Sequence, residues 1–301
     1  MFNLLEVSET ATKLSISNGC LSVQCSDGHS SSCSFNDLNA VVLANPAVSL
    51  TGFMLCKCAH HRIPIVSCDE TYSPVGIMQP LFREGAEHDA MLEAQIAASK
   101  PFAKQLWKTI VAAKLKGQHL LLLAERNDDS IECFLKRISS GDATNIEAQA
   151  ARIYWNKLDL FPRRDRLAKD ANVFFNYVYT IIYSAFARYI CAMSLHPHIG
   201  IHHHNQYDPF CLASDLMEPY RPFADQIVLR LLASTDSLSL TRQNKEFLLQ
   251  QLYASIITID KEKCPFFNAI RKTVFSFKKA LVSKQPALFQ LPLFQKQKEV
   301  A

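Results

Sequence analysis

Residues 200–222 read G-I-H-H-H-N-Q-Y-D-P-F-C-L-A-S-D-L-M-E-P-Y-R-P. Three adjacent histidines, His202, His203 and His204, precede three acids, Asp208, Asp215 and Glu218. Five of the chain's ten histidines fall between His196 and His204. A solitary histidine is usually a structural hydrogen bonder, but a cluster this dense beside carboxylates suits metal or phosphate work. Imidazole and carboxylate together hold divalent cations that act on phosphate oxygens. Asp215 and Glu218 are three apart, so on a helix they share a face within reach of one ion. The same D-L-M-E wording fits a capping box, with Ser214 or Asp215 as N-cap, Glu218 at N3 and Pro219 tolerated in the first turn. Both readings stand at this level, as does a division in which Asp215 caps and Glu218 ligates. Asp208, before Pro209, reads as a turn former. Chemistry alone does not select among the three histidines.

Outward from this stretch the pattern is helical. Glu87–Ala98, Lys104–Lys116, Asn145–Asn156, Ala171–Met193, Ser214–Ala233, Thr241–Ile257 and Pro265–Leu281 carry apolar residues at helical spacing. Glu147 follows the cap-like G-D-A-T-N-I, where a first-turn acid complements the helix dipole whatever else it does. Before residue 79 the period changes. Leu14 and Ile16, then Leu21, Val23 and Cys25, alternate with polar residues, and Ser17-Asn18-Gly19 fits a tight hairpin turn. Ala40–Leu43 and Ile63–Val66 read as short strands, with Ser49 capping a short helix that reaches His60. Pro74, Gly76 and Pro80 mark the seam. The expected fold is α+β in two domains: a small N-terminal β-sheet domain over residues 1–78 and a larger all-α domain over 79–284, followed by a flexible tail over 285–301.

Composition excludes several classes. The chain of 301 residues is 49% hydrophobic and 20% charged, an ordinary globular balance. The start, M-F-N-L-L-E-V-S-E, has no basic n-region, so no secretory signal is expected. Val173–Leu195 holds Asn176, Arg188 and four tyrosines, a load that suits a buried core helix and not a membrane span. A cytoplasmic protein without membrane contact is expected, its ten scattered cysteines packing as reduced thiols. Residues 1–80 carry three basic and six acidic groups while the remainder is net basic, so an anionic polymer would meet the second part. Cys56-x-Cys58-x-His60-His61 is poorly spaced for zinc on a helix, and His88-Asp89 is a dipeptide that recurs by chance. No Walker loop or G-x-G-x-x-G is present to hold a nucleotide.

Three segments in order are specific in wording: E-A-Q-A-A-R-I-Y at Glu147–Tyr154, G-I-H-H at Gly200–His203 and D-L-M-E-P-Y-R-P at Asp215–Pro222. They resemble the E-x-x-A-A-x-x-Y, G-x-x-H and D-L-M-E-x-F-R-P-like segments of the CRISPR-associated spacer-acquisition integrase/endonuclease (Cas-one) family, in its type II form. Asn176-Tyr177-Val178-Tyr179 resembles that family's N-Y-x-Y helix, with Val178 where relatives often carry glycine. Length and β-then-helical order agree, so the resemblance covers nearly the whole chain.

The resemblance implies catalytic metal ligands at Glu147, His203 and Glu218, with Asp215 a secondary candidate, and Mg²⁺ or Mn²⁺ as the ion. It implies a DNA integrase/endonuclease that joins the 3′-hydroxyl of a short DNA fragment to a CRISPR repeat by transesterification. It also implies a homodimer, two of which are bridged by a Cas-two dimer, and cooperation with the type II effector nuclease, Cas-nine. Two rivals share the residues: a standalone metal-dependent DNA nuclease, and a non-enzymatic DNA-binding scaffold whose acids cap helices. Candidate DNA contacts are Arg152, Arg164, Arg166, Arg221, Arg271, Lys272, Lys278 and Lys279, each of which also fits a solvated helix face or a salt bridge. Lys104, Lys108 and Lys114 with Trp107 read as a further helix surface.

Overall fold

The computed structural model describes residues 4–7, 10–38, 40–61, 63–69, 74–78, 87–160, 170–235 and 238–295. The chain splits into two compact units, Met1–Gln95 with Ala187–Pro197, and Ile96–Phe186 with His198–Ala301. A small β-sheet region precedes a mostly helical part, the expected α+β architecture.

The first unit contains β1 (Leu4–Val7), β2 (Ala11–Ser17), β3 (Cys20–Cys25), β4 (Ser30–Cys33), β5 (Ala40–Leu43), β6 (Ser49–Leu50), α1 (Gly52–His60), β7 (Ile65–Cys68), β8 (Pro74–Met78) and α2 (Glu87–Ile96). One sheet has the order β1-β5-β7-β8 and is parallel except at β8. The other, β4-β3-β2-β6, is antiparallel except at β2–β6. Asn18 and Gly19, with φ of 50° and 75°, make the tight β2–β3 turn, where two left-handed residues match the twist of the strands. Leu14, Leu21, Phe35, Val41, Met54 and Ile65 share one core cluster. α1 is capped by Thr51, whose hydroxyl accepts from the Met54 amide; Ser49, the expected cap, is instead paired with β2. Cys58 is buried against Met54 Sδ while Cys56 is exposed, so the pair diverges as helix geometry requires.

The second unit holds α3 (Lys100–Arg126), α4 (Glu132–Leu135), α5 (Ile146–Leu158), α6 (Asn172–Ala192, crossing into the first unit at Ala187), α7 (Cys211–Leu216), α8 (Arg221–Leu232), α9 (Arg242–Ala254), β9 (Ile256–Ile259), β10 (Glu262–Pro265) and α10 (Phe266–Ser283). α3 is its axis. Ser99 caps it, Pro101 sits in its first turn and left-handed Asn127 ends it. Leu106, Ile110, Val111, Leu115, Leu121 and Leu122 form its buried apolar side, and Trp107 and Lys114 are buried with them. At Gly117 a Cβ would stand 2.8 Å from Pro222 Cγ. Only glycine lets the first turn of α8 lie this close to α3, and that approach brings Glu218 and Arg221 beside Lys114.

Three elements differ from expectation. The helix expected over Ser214–Ala233 is broken: α7 stops at Leu216, a 3₁₀ turn spans Glu218–Tyr220 and α8 begins at Arg221. Pro219 and Pro222 each remove an amide that a continuous helix needs. The expected all-α part contains the β9–β10 hairpin, because I-I-T-I at Ile256–Ile259 is a β-branched run and Asp260-Lys261 turns with φ of 51° and 62°. The end from Gln285, expected to be loose, packs through residue 295: the Leu293 amide donates to Thr258 O at 2.8 Å, and Phe289 and Phe294 are buried. Among the described residues no helix is long and apolar enough to cross a membrane.

Gly117→Ala should lower stability by about 1–3 kcal/mol through overpacking against the Pro222 ring. Gly52→Ala, where a Cβ meets nothing within 4 Å, should change it far less. Urea unfolding followed by circular dichroism measures both.

Candidate active site

Glu147 is delivered by the start of α5. Gly141, Asp142 and Asn145 have φ of 71°, 48° and 53°, a tight approach that turns Asp142 back onto the helix. Its carboxylate accepts the amides of Ile146 at 2.8 Å and Glu147 at 2.9 Å. Asp142 therefore does the capping, and the Glu147 carboxylate is left for other partners.

That partner is Lys114, whose Nζ lies 2.5 Å from Glu147 Oε1 and 2.5 Å from Glu218 Oε2. Arg221 Nε donates to Glu218 Oε1 at 2.8 Å. Lys114 and Glu218 are buried, their side chains 9% and 6% exposed. Burial pushes the Glu218 carboxyl up, but Arg221 and Lys114 outweigh it and hold it below the ordinary carboxylate range. Burial likewise works against the Lys114 charge, and Glu218 and then Glu147 outweigh it, raising the lysine above its ordinary value. Glu218 is thus paired through both oxygens, Oε1 with Arg221 and Oε2 with Lys114.

His203 is delivered by a loop wound around Asp215. Asp215 is fully buried in α7; its Oδ2 accepts from the amides of Ile201 at 2.5 Å and His202 at 2.9 Å, and its Oδ1 from the His203 amide at 3.2 Å. His203 Nδ1 donates to the same Oδ1 at 2.6 Å. Gly200 is required here, since a Cβ would meet His203 O at 2.5 Å and Asp215 Oδ2 at 2.8 Å. The G-x-x-H wording thus has a local cause: the glycine closes the loop and the histidine is locked by the acid. With Nδ1 donating to the carboxylate, the neutral ring carries its lone pair on Nε2. The Asp215 hydrogen bond is the main influence raising the His203 pKa; burial opposes it, and Glu218 and Glu147 add to it through space.

Neither capping reading of D-L-M-E survives. Ser214 donates to Asp208 Oδ2, Asp215 serves the preceding loop, and Glu218 opens a 3₁₀ turn with no side-chain cap. Asp208 is the expected turn former, accepting also from the Phe210 amide and the Tyr183 hydroxyl.

Trp107, two turns from Lys114 on α3, stacks on His202 at 4.2 Å with planes 4° apart and meets the His203 ring edge-on at 5.7 Å. Below, Asp225 is fully buried and accepts from the hydroxyls of Tyr154 and Tyr179, joining α8 to α5 and α6. The Arg221 guanidinium lies 4.6 Å from the centre of the Tyr179 ring. Tyr154 and Tyr179, the last residues of the E-A-Q-A-A-R-I-Y and N-Y-V-Y segments, share Asp225, and the Tyr179 ring supports the arginine that faces Glu218.

The structure separates the basic candidates. Arg221 belongs to the site, where its guanidinium is engaged by Glu218. Lys114, read from sequence as helix surface, is the cation at the centre of the cluster. Arg152 and Lys279 are exposed, Lys279 over the Phe275 ring, while Lys272 pairs with Glu262. Arg271 and Lys278 are half-buried on α10, and Arg164 and Arg166 lie outside the described residues. Among the described residues no three His, Cys, Asp or Glu side chains close around a common point tightly enough to ligate an ion. Glu147 and Glu218 are brought together; Lys114 stands between them.

A model of the family described as CRISPR associated protein Cas1 matches residues 5–251. The CRISPR-associated endonuclease Cas1 of Neisseria meningitidis serogroup C (strain 8013) is 30% identical over 286 residues, covering 93% of this chain and 92% of its own. A casposase bound to integration product is similar in structure, with a TM-score of 0.70 at 17% identity, covering 99% of this chain and 100% of that one. A chain of a partial Cas6-RT-Cas1–Cas2 complex has a TM-score of 0.70 at 17% identity, with the same coverage of 99% and 100%. At that identity the two structural likenesses speak to the fold.

Asp215→Ala leaves three amides and an imidazole without their acceptor. It should cost about 3 kcal/mol or more in urea unfolding. A loss under about 1 kcal/mol would show that the histidine loop is not organised on Asp215.

Proposed function

The chain belongs to the CRISPR-associated Cas1 family, and on that footing we propose that it is a metal-dependent integrase of the type II form, joining short DNA to a CRISPR array. At the coarser level it is a nuclease/integrase of CRISPR adaptation. The observation that carries the finer reading is a glutamate of α5 and a glutamate of the turn before α8 sharing one cation, beside an imidazole whose Nδ1 is already committed.

These residues fit a divalent ion. Glu147 and Glu218 already converge on a positive charge, and His203, tied through Nδ1, has Nε2 left for ligation. Two hard carboxylates with one imidazole suit Mg²⁺ or Mn²⁺, the histidine favouring Mn²⁺. Bound by Glu147, Glu218 and His203, the ion would lower the pKa of an attacking hydroxyl and neutralise charge on the attacked phosphate. Asp215 is not a ligand in this reading; it fixes the orientation and tautomer of His203. Arg221 balances the charge of Glu218 and is itself held by the Tyr179 ring. In the joining reaction a 3′-hydroxyl oxygen bonds to the repeat phosphorus, the opposite P–O bond breaks and the departing 3′-oxygen takes up a proton. No protein nucleophile is required.

The exposed Arg152 and Lys279, with Arg271, Lys272 and Lys278 on α10, are proposed to meet the DNA backbone. The N-terminal β domain over residues 1–78 is proposed to form the homodimer. A Cas2 dimer bridging two such dimers is part of the proposal; a structural neighbour solved in a Cas6-RT-Cas1–Cas2 complex supports Cas2 as a partner. Work beside the type II effector nuclease in the cytoplasm completes the proposal.

Incubated with its Cas2 partner, a short duplex with free 3′-hydroxyls, a repeat-bearing plasmid and Mn²⁺, the protein should yield joined strands. His203→Ala should cut joining more than ~100-fold, and Asp215→Asn ~10–100-fold. Cleaved ends without joining would establish the standalone nuclease instead. Metal-independent DNA binding with no chemistry would establish the scaffold.

A further inference from the structure

The mechanism leaves one buried group without a task. Lys114 lies on the buried side of α3, and its ammonium touches both glutamates assigned to the metal. It is not a surface cation that strayed inward. Trp107 and Lys114 are both buried, and Gly117 draws in the Glu218 turn within one turn of the lysine. Glu147 and Glu218 carry two negative charges there, while Lys114 and Arg221 carry two positive ones. The four balance as they stand. A divalent ion added with the lysine in place would leave an uncompensated double charge in a buried setting, which is strongly unfavourable.

We propose that Lys114 is a resident surrogate cation: it holds Glu147 and Glu218 together when no metal is bound, and it must leave both carboxylates when a divalent ion takes them. This rests on the metal reading above and adds a competitor to it. Without the lysine, the buried Glu218 and the part-buried Glu147 would repel each other and spread α5 from the Glu218 turn. With it, the ligand pair is preassembled, and the affinity for metal is set by exchange of one cation for another. Lys114 is on this account a positioning residue that acts through the two glutamates.

The opposing signs of two effects test it. In Lys114→Met the metal-free protein should melt at a lower temperature than wild type, while Mn²⁺, titrated by electron paramagnetic resonance of the free ion, should bind at least about tenfold more tightly. A merely structural lysine would weaken both. If the variant is unfolded without metal, saturating Mn²⁺ should restore its helical circular dichroism. A variant that stays unfolded at saturating Mn²⁺, or that binds Mn²⁺ no more tightly than wild type, overturns the proposal while wild-type binding keeps the metal site. If neither wild type nor Lys114→Met binds Mn²⁺, the metal reading fails and the surrogate role falls with it.

Discussion

A buried glutamate, Glu218, and a part-buried one, Glu147, are held against one ammonium, and much of the helical unit answers to that constraint. Glu218 is buried and Glu147 faces the same ammonium from another helix. Isolated carboxylates in such a place would take up protons. Here Glu218 is kept charged by Arg221 from the first turn of α8 and Lys114 from α3, and the field of those two cations exceeds its penalty of burial. The backbone is shaped to permit this. Gly117 lets α3 and α8 approach, the prolines at 219 and 222 break the helix where Glu218 must turn inward, and Asp142 relieves Glu147 of any duty as a cap.

A second carboxylate pair supports the first from either side. Asp215 gathers three amides and an imidazole, so the histidine loop is a fixed wall rather than a tether. Asp225 binds two tyrosine hydroxyls and keeps the ring of Tyr179 under Arg221. Neither acid faces the Lys114 position directly, yet each fixes the orientation of a residue that does. Such a division between groups that touch a reacting centre and groups that aim them is what a site for phosphoryl chemistry needs, since most of its work is electrostatic and positional.

Much of this was legible in the sequence. The period-2 alternation around Asn18-Gly19 gave the β2–β3 hairpin because the turn residues and the flanking pattern agree. The helical periods gave α3, α5, α6 and α10, and the segments containing Glu147, Gly200–His203 and Asp215–Pro222 pointed to the family that the whole-chain likeness establishes. The misses have physical causes. Lys114 reads as surface because lysine almost always is, and its burial depends on two glutamates distant in sequence. Asp215 and Ser214 read as caps because local spacing cannot see a loop folding back from residue 201. The β9–β10 hairpin hid behind a helical window ending at Ile257, and the packed end after Gln285 depends on Phe294 meeting Phe223, which no local pattern announces.

The most direct test of the central claim is a crystal structure of the protein grown with Mn²⁺ and measured at the manganese absorption edge. The account predicts one anomalous peak bounded by Glu147, Glu218 and Nε2 of His203, with Lys114 Nζ withdrawn from both carboxylates and Asp215 still holding the imidazole. No peak there at saturating Mn²⁺, with the ammonium of Lys114 still bridging the two glutamates, would contradict it.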